Sequence, residues 1–132
     1  MSGRSERIAA YRAVQQRYRP NRREFGRLVQ EALASLPEEF RRRLDNVLVV
    51  VEDWPPGGQY DPADETLLGL YRGTPYGERG TAYHLATPDR ITIYRGPILA
   101  RARTRDQVLR EVRDTVVHEV GHYFGLGEEE LP

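Results

Sequence analysis

The segment from Thr104 to Gly125 constrains the fold of this chain more than any other. Val108, Val112, Val116, Val120 and Phe124 recur every fourth residue, which places them along one face of an α-helix. Thr104 with Gln107 three residues on is a capping-box pattern, so the helix opens there. Gly125 tolerates positive φ and can end it. A lone helix with an apolar stripe is not stable in water, so the rest of the chain must build a layer against that stripe.

The pieces of that layer can be read along the chain. Val47-Leu48-Val49-Val50-Val51 is a short, continuously apolar, β-branched run, which argues a buried strand ended by Trp54-Pro55-Pro56-Gly57-Gly58. Thr66 to Tyr71 is a second strand candidate. Arg90-Ile91-Thr92-Ile93-Tyr94 alternates and reads as a third, half-buried strand. Pro20-Asn21 separates an N-terminal helix from one over Arg22 to Ser35, with Phe25, Leu28, Val29, Ala32 and Leu33 on one side. Pro37 then starts a short helix from Glu38 to Leu44, acidic in its first turn and basic in its last. Residues 55–89 are rich in Gly, Pro, Asp and Tyr, and so long an irregular stretch is expected to be functional or mobile.

At 132 residues the chain is expected to form one domain, and with no cysteine it has neither disulfides nor thiolate metal sites. No long apolar run or apolar leader is visible, so a cytoplasmic protein without membrane contact is expected. The net charge is zero but uneven. Residues 1–23 hold seven arginines against Glu6, while the other thirteen arginines face nineteen acids; no lysine occurs. Ile8, Tyr11, Val14 and Tyr18 follow helical spacing, so residues 1–20 read as a basic, helical extension, either packed on a domain spanning 21–132 or a loose tail. A basic run can instead mark a nucleic-acid contact, but nucleic acid is not the expected partner.

The long helix ends in His118-Glu119-Val120-Gly121-His122, the pattern H-E-x-x-H. Imidazoles four apart share a helix face and can reach one ion, and Glu119 sits where a carboxylate can serve as general base on a metal-activated water. Two neutral imidazoles leave a zinc site one protein ligand short. With Gly125 turning the chain back, Glu128 is placed to return as that ligand, with Glu129 and Glu130 as alternatives. Tyr83, His84, Tyr94 and Tyr123 are candidates to stabilise an oxyanion, His84 reading more simply as a loop histidine.

From Leu44 onward the chain resembles the small bacterial zincin-like metallopeptidases, or minimal zincins. The resemblance runs through Leu44–Pro56, Leu67–Gly73, Ile91–Ile98 and, most specifically, Val112 into His118–Glu130. It implies an α+β domain with helices packed on a small sheet and a C-terminal active-site helix. By the same resemblance, Zn2+ is held by His118, His122 and Glu128, with Glu119 as catalytic base and peptides or unfolded protein as substrate. The methionine turn of metzincins is not expected, since the only methionine is Met1. A cleft wall would then come from residues 55–89 or from a second protomer in a homodimer. Two other readings are a catalytically inert zinc- or peptide-binding module and a metal-dependent endoribonuclease. The latter family carries histidine where Glu128 stands and is the weaker match.

Overall fold

The computed structural model of the chain describes residues 3–8, 17–58, 67–73 and 88–126. Its elements run α1 (Arg22–Ala34), α2 (Glu38–Arg41), β1 (Val47–Glu52), β2 (Gly69–Arg72), β3 (Asp89–Tyr94), α3 (Arg95–Arg101) and α4 (Arg105–Phe124). Residues 3–8 are also helical. The strands form one sheet in the order β1-β3-β2. β3 is parallel to β1, from Val47↔Asp89 to Glu52↔Tyr94, and antiparallel to β2, from Gly69↔Ile93 to Arg72↔Arg90. This is an α+β fold, with helices layered on a small mixed sheet.

α4 lies across β2 and β3, while α1 packs beside α4 and against β1. Between them runs the core: Phe25, Leu28, Val29 and Ala32 of α1 meet Ile91 and Ile93 of β3 and the α4 stripe Val108, Val112, Val116 and Val120. Burying each of those valines stabilises the fold by about 1.5–3 kcal/mol relative to leaving it in water. Phe124, last in the stripe, is half-buried and meets Phe40 edge-on, with ring centroids 5.3 Å apart.

Two strands exchange the environments their patterns suggest. β1, with its unbroken apolar run, is an edge strand among the described residues and only half-buried; Leu48 is 51 % exposed. β3, with its alternating pattern, is central, and all of it but Arg90 is buried, including Thr92 and Asp89. Strand order decides this, and strand order depends on long-range pairing that local periodicity does not encode. α3 carries no sequence signal strong enough to predict it, since seven residues show less than two helical repeats. Its Pro97 is tolerated because it falls in the first turn. α2 is also shorter than expected, ending at Arg41.

Of the N-terminal extension, only residues 3–8 and 17–20 are described. Residues 17–20 are not helical, and Tyr18 donates its N–H to Arg103 O at 2.8 Å and packs on the core. Ile8 is 45 % exposed; Tyr11 and Val14 lie outside the described residues.

The ends of α4 follow the sequence closely. Gln107 N–H donates to Thr104 Oγ1 at 3.2 Å, and Gln107 Oε1 accepts from the N–H of Thr104 at 3.2 Å and of Arg103 at 2.8 Å. At the other end Gly125 is left-handed (φ 70°, ψ 28°). Its N–H bonds His122 O and that of Leu126 bonds Gly121 O, the paired bonds of a Schellman stop. Thr104→Ala is expected to cost about 1 kcal/mol in chemical denaturation, with the m-value unchanged because the core is untouched.

Candidate metal centre

The motif occupies the last two turns of α4, with the histidines on the face opposite the apolar stripe. His118 and His122 are exposed, and their Nε2 atoms approach to 2.9 Å. Their rings meet edge to face with centroids 4.6 Å apart. Glu119 lies between this face and the sheet, only 7 % exposed. One nitrogen of each histidine and a Glu119 carboxylate oxygen all lie within 4.8 Å of one another, so the trio could hold a metal ion. Two nitrogens bound to one tetrahedral zinc at about 2.0–2.1 Å lie about 3.3 Å apart. The observed pair would need to open by only a few tenths of an ångström. The donor set fits the ion.

Glycine makes this burial possible. A Cβ on Gly69 would lie 2.7 Å from Thr115 Cγ2, 3.1 Å from Glu119 Cγ and 3.1 Å from Thr92 O. β2 can therefore approach α4 closely only because position 69 has no side chain. The hydrogen bond from Tyr94 N–H to Leu68 O at 2.8 Å, with the antiparallel register, points the Leu70 and Arg72 amides at β3 and the Tyr71 amide outward. That outward amide donates to Glu119. Below it, the Tyr71 hydroxyl donates to the buried Asp89 carboxylate at 2.5 Å, and its ring meets Tyr123 edge-on at 5.9 Å.

Burial pushes the Glu119 carboxyl above its ordinary value of 4.5, while His122, His118 and the Tyr71 amide act in the opposite direction without overcoming it. Burial likewise raises Tyr94, opposed most by Arg72, and Glu119 adds to the rise. Alternation along β3 puts Tyr94 with Arg90 on the face of the sheet turned away from Ile91, Ile93 and α4. Tyr123, the other described oxyanion candidate, is ruled out for that role. It is fully buried, and its hydroxyl lies 3.0 Å from both Arg43 O and Asp45 O and 3.2 Å from Asp45 Oδ1. It ties the last turn of α4 to the segment before β1. Tyr83, His84, Glu128, Glu129 and Glu130 lie outside the described residues.

A groove of about 370 Å³ opens beside the trio, lined by Leu67, Leu68 and Gly69 on one wall and by Glu111, Asp114, Thr115, His118 and Glu119 on the other. Leu67 holds a left-handed conformation (φ 56°), which a branched, bulky residue adopts only under constraint. Sequence reasoning missed Gly69, Tyr71 and Asp89. Gly69 inside a strand pattern was the one available signal, since glycine there marks a close backbone approach. No helix among the described residues is long and apolar enough to cross a membrane.

Comparison with known proteins agrees with this geometry. The model of the zincin-like metallopeptidase family matches residues 44–132. Among solved structures, a conserved hypothetical protein from Thermus thermophilus superposes with a TM-score of 0.51 at 29 % identity, over 76 % of this chain and 91 % of that one. No curated protein matches the chain.

The raised Glu119 value has a stability consequence in the metal-free protein. The folded carboxyl holds its proton more tightly than the unfolded one. Stability is therefore lost as pH rises from the ordinary carboxyl value through the folded one, and the loss persists at neutral pH. Glu119→Gln is expected to raise the thermal midpoint of metal-free protein at pH 7. The gain should vanish near pH 3, where both proteins are neutral at this position. Equal midpoints at both pH values would contradict the burial of an ionised carboxylate.

Proposed function

The chain belongs to the zincin-like metallopeptidases, and from that premise we propose that it is a zinc-dependent peptidase. The observation that carries the reading is the pair of exposed imidazole nitrogens 2.9 Å apart beside a buried carboxylate, opening on a groove. His118 and His122 hold the ion, with Glu128, three residues past the helix-ending glycine, as third ligand. A bound zinc ion supplies Lewis acidity, polarising a carbonyl and bringing the pKa of water toward neutrality.

The chain's own groups do the rest. Glu119, fixed by the Tyr71 amide, takes a proton at its carboxylate and returns it to the leaving amine. Its raised value brings it nearer the range in which a carboxyl can do both. The peptide lies extended in the groove between residues 67–69 and α4. Glu111 and Asp114 on the rim favour a basic side chain or an amino terminus there.

The test is Glu119→Gln assayed with zinc content measured in parallel. The variant should keep its zinc and lose peptide hydrolysis by at least about a hundredfold, the usual contribution of a positioned base. Hydrolysis at the wild-type rate would refute the mechanism. Zinc binding with no hydrolysis of a broad peptide library by the wild type would instead establish the inert binding module.

A further inference from the structure

A second groove, of about 520 Å³, lies where the chain leaves β1 and enters α3, and it shares no lining residue with the groove beside the metal centre. Its walls include Arg17, Arg19, Asp53, Trp54, Arg95 and Gly96. Nothing in the peptidase reading uses it. Its size falls in the range of small-molecule sites, about 300–1,000 Å³.

The groove combines an aromatic platform with held cations. Trp54 is the only tryptophan of the chain and is 48 % exposed. Its indole lies against the Gly96 backbone. A Cβ at that position would come within 2.4 Å of Trp54 Cε2 and 2.6 Å of both Trp54 Cζ2 and Asp53 O. Gly96 N–H also bonds Asp53 O at 2.8 Å, locking the two segments together. The ring is thus seated before any ligand arrives.

The arginines are seated too. Arg17 donates to Leu99 O at 3.0 Å. Arg95 donates to Pro20 O at 2.9 Å and pairs with Asp53 at 3.1 Å. A guanidinium has five N–H donors, so these anchors orient each fork without exhausting it. Arg19 is exposed at the rim. Three arginines against one aspartate leave the groove positive. Arg17 and Arg19 also belong to the N-terminal run in which seven arginines face one glutamate.

We propose that this groove binds a phosphate-bearing planar base, most naturally one nucleotide unit of a single-stranded nucleic acid. The indole stacks the base, and the guanidinium forks take the phosphate. Stacking on an exposed aromatic ring beside guanidinium groups is the general physics of sequence-tolerant single-strand binding. A carboxylate peptide would need one of the three cations and gain little from the indole face, whereas a nucleotide uses both. Sequence alone does not favour nucleic acid, because it does not show that Trp54 and these arginines share one groove.

The sole tryptophan makes the test direct. Full-length protein is titrated with dT12, with thymidine monophosphate and with tripolyphosphate while Trp54 fluorescence is followed. Fluorescein-labelled dT12 anisotropy is measured in parallel for wild type, Trp54→Ala and Arg19→Gln across a salt series. Saturable quenching by dT12 is expected, with binding at least about tenfold weaker in Trp54→Ala. Arg19→Gln should flatten the salt slope by roughly 0.7, one phosphate contact. Quenching by the mononucleotide as strong as by dT12 also supports the site and makes the free nucleotide its occupant. No quenching by either nucleotide ligand, or equal quenching by tripolyphosphate, overturns it. So does anisotropy unchanged in both variants. Should Trp54→Ala fail to fold, Arg19→Gln, altered only at an exposed position, decides.

Discussion

The close approach of β2 to α4 is the constraint on which the described site depends. One helix must bury an apolar stripe against the sheet and, within the same turns, offer two imidazoles to solvent. The four-residue spacing of Val108, Val112, Val116 and Val120 anchors the buried side, and His118 and His122 fall on the exposed one. Glu119 sits at the boundary and is carried inward. Burying a carboxylate costs stability unless a donor meets it. Here the absence of a side chain at Gly69 lets the strand come near enough for the Tyr71 amide to be that donor. Remove the glycine and the strand, the donor and the carboxylate all shift together.

The surrounding contacts serve the same placement. Tyr71 is fixed at its hydroxyl by Asp89, and Tyr123 fixes the final turn of the helix from below. Phe40 closes on Phe124 one residue further along. The Schellman stop ends the helix with a left-handed turn at Gly125, two residues after Tyr123. That turn is what the proposed third ligand, Glu128, requires. The burial that raises the Glu119 carboxyl is therefore a product of packing, and it brings the group toward the range where a base can give its proton back.

Much of this was legible in the sequence, for identifiable physical reasons. The start and stop of α4 were, because capping and left-handed termination are local chemistry written in Thr104, Gln107 and Gly125. The pairing of His118 and His122 was, because helical spacing alone puts both on one face. The three strands and α1 were legible in place. Their environments were not: Val47–Val51 reads as buried and lies at the edge, while Arg90–Tyr94 reads as half-buried and lies at the centre. Strand order is set by long-range pairing. For the same reason the roles of Gly69, Tyr71 and Asp89 were invisible, since each depends on a partner far along the chain. Tyr123 illustrates the converse. Its place beside the motif suggested an active-site hydroxyl, but helical geometry turns it a quarter-turn or more from His122 and into the core.

The central claim is that α4 presents a metal site built on two histidines. Calorimetric titration of zinc into metal-free protein, beside the His122→Ala variant, tests it most directly. The account predicts one equivalent bound by the wild type and binding weakened by at least about tenfold when one ligand is lost. Equal binding by both proteins, or none by the wild type, would contradict it.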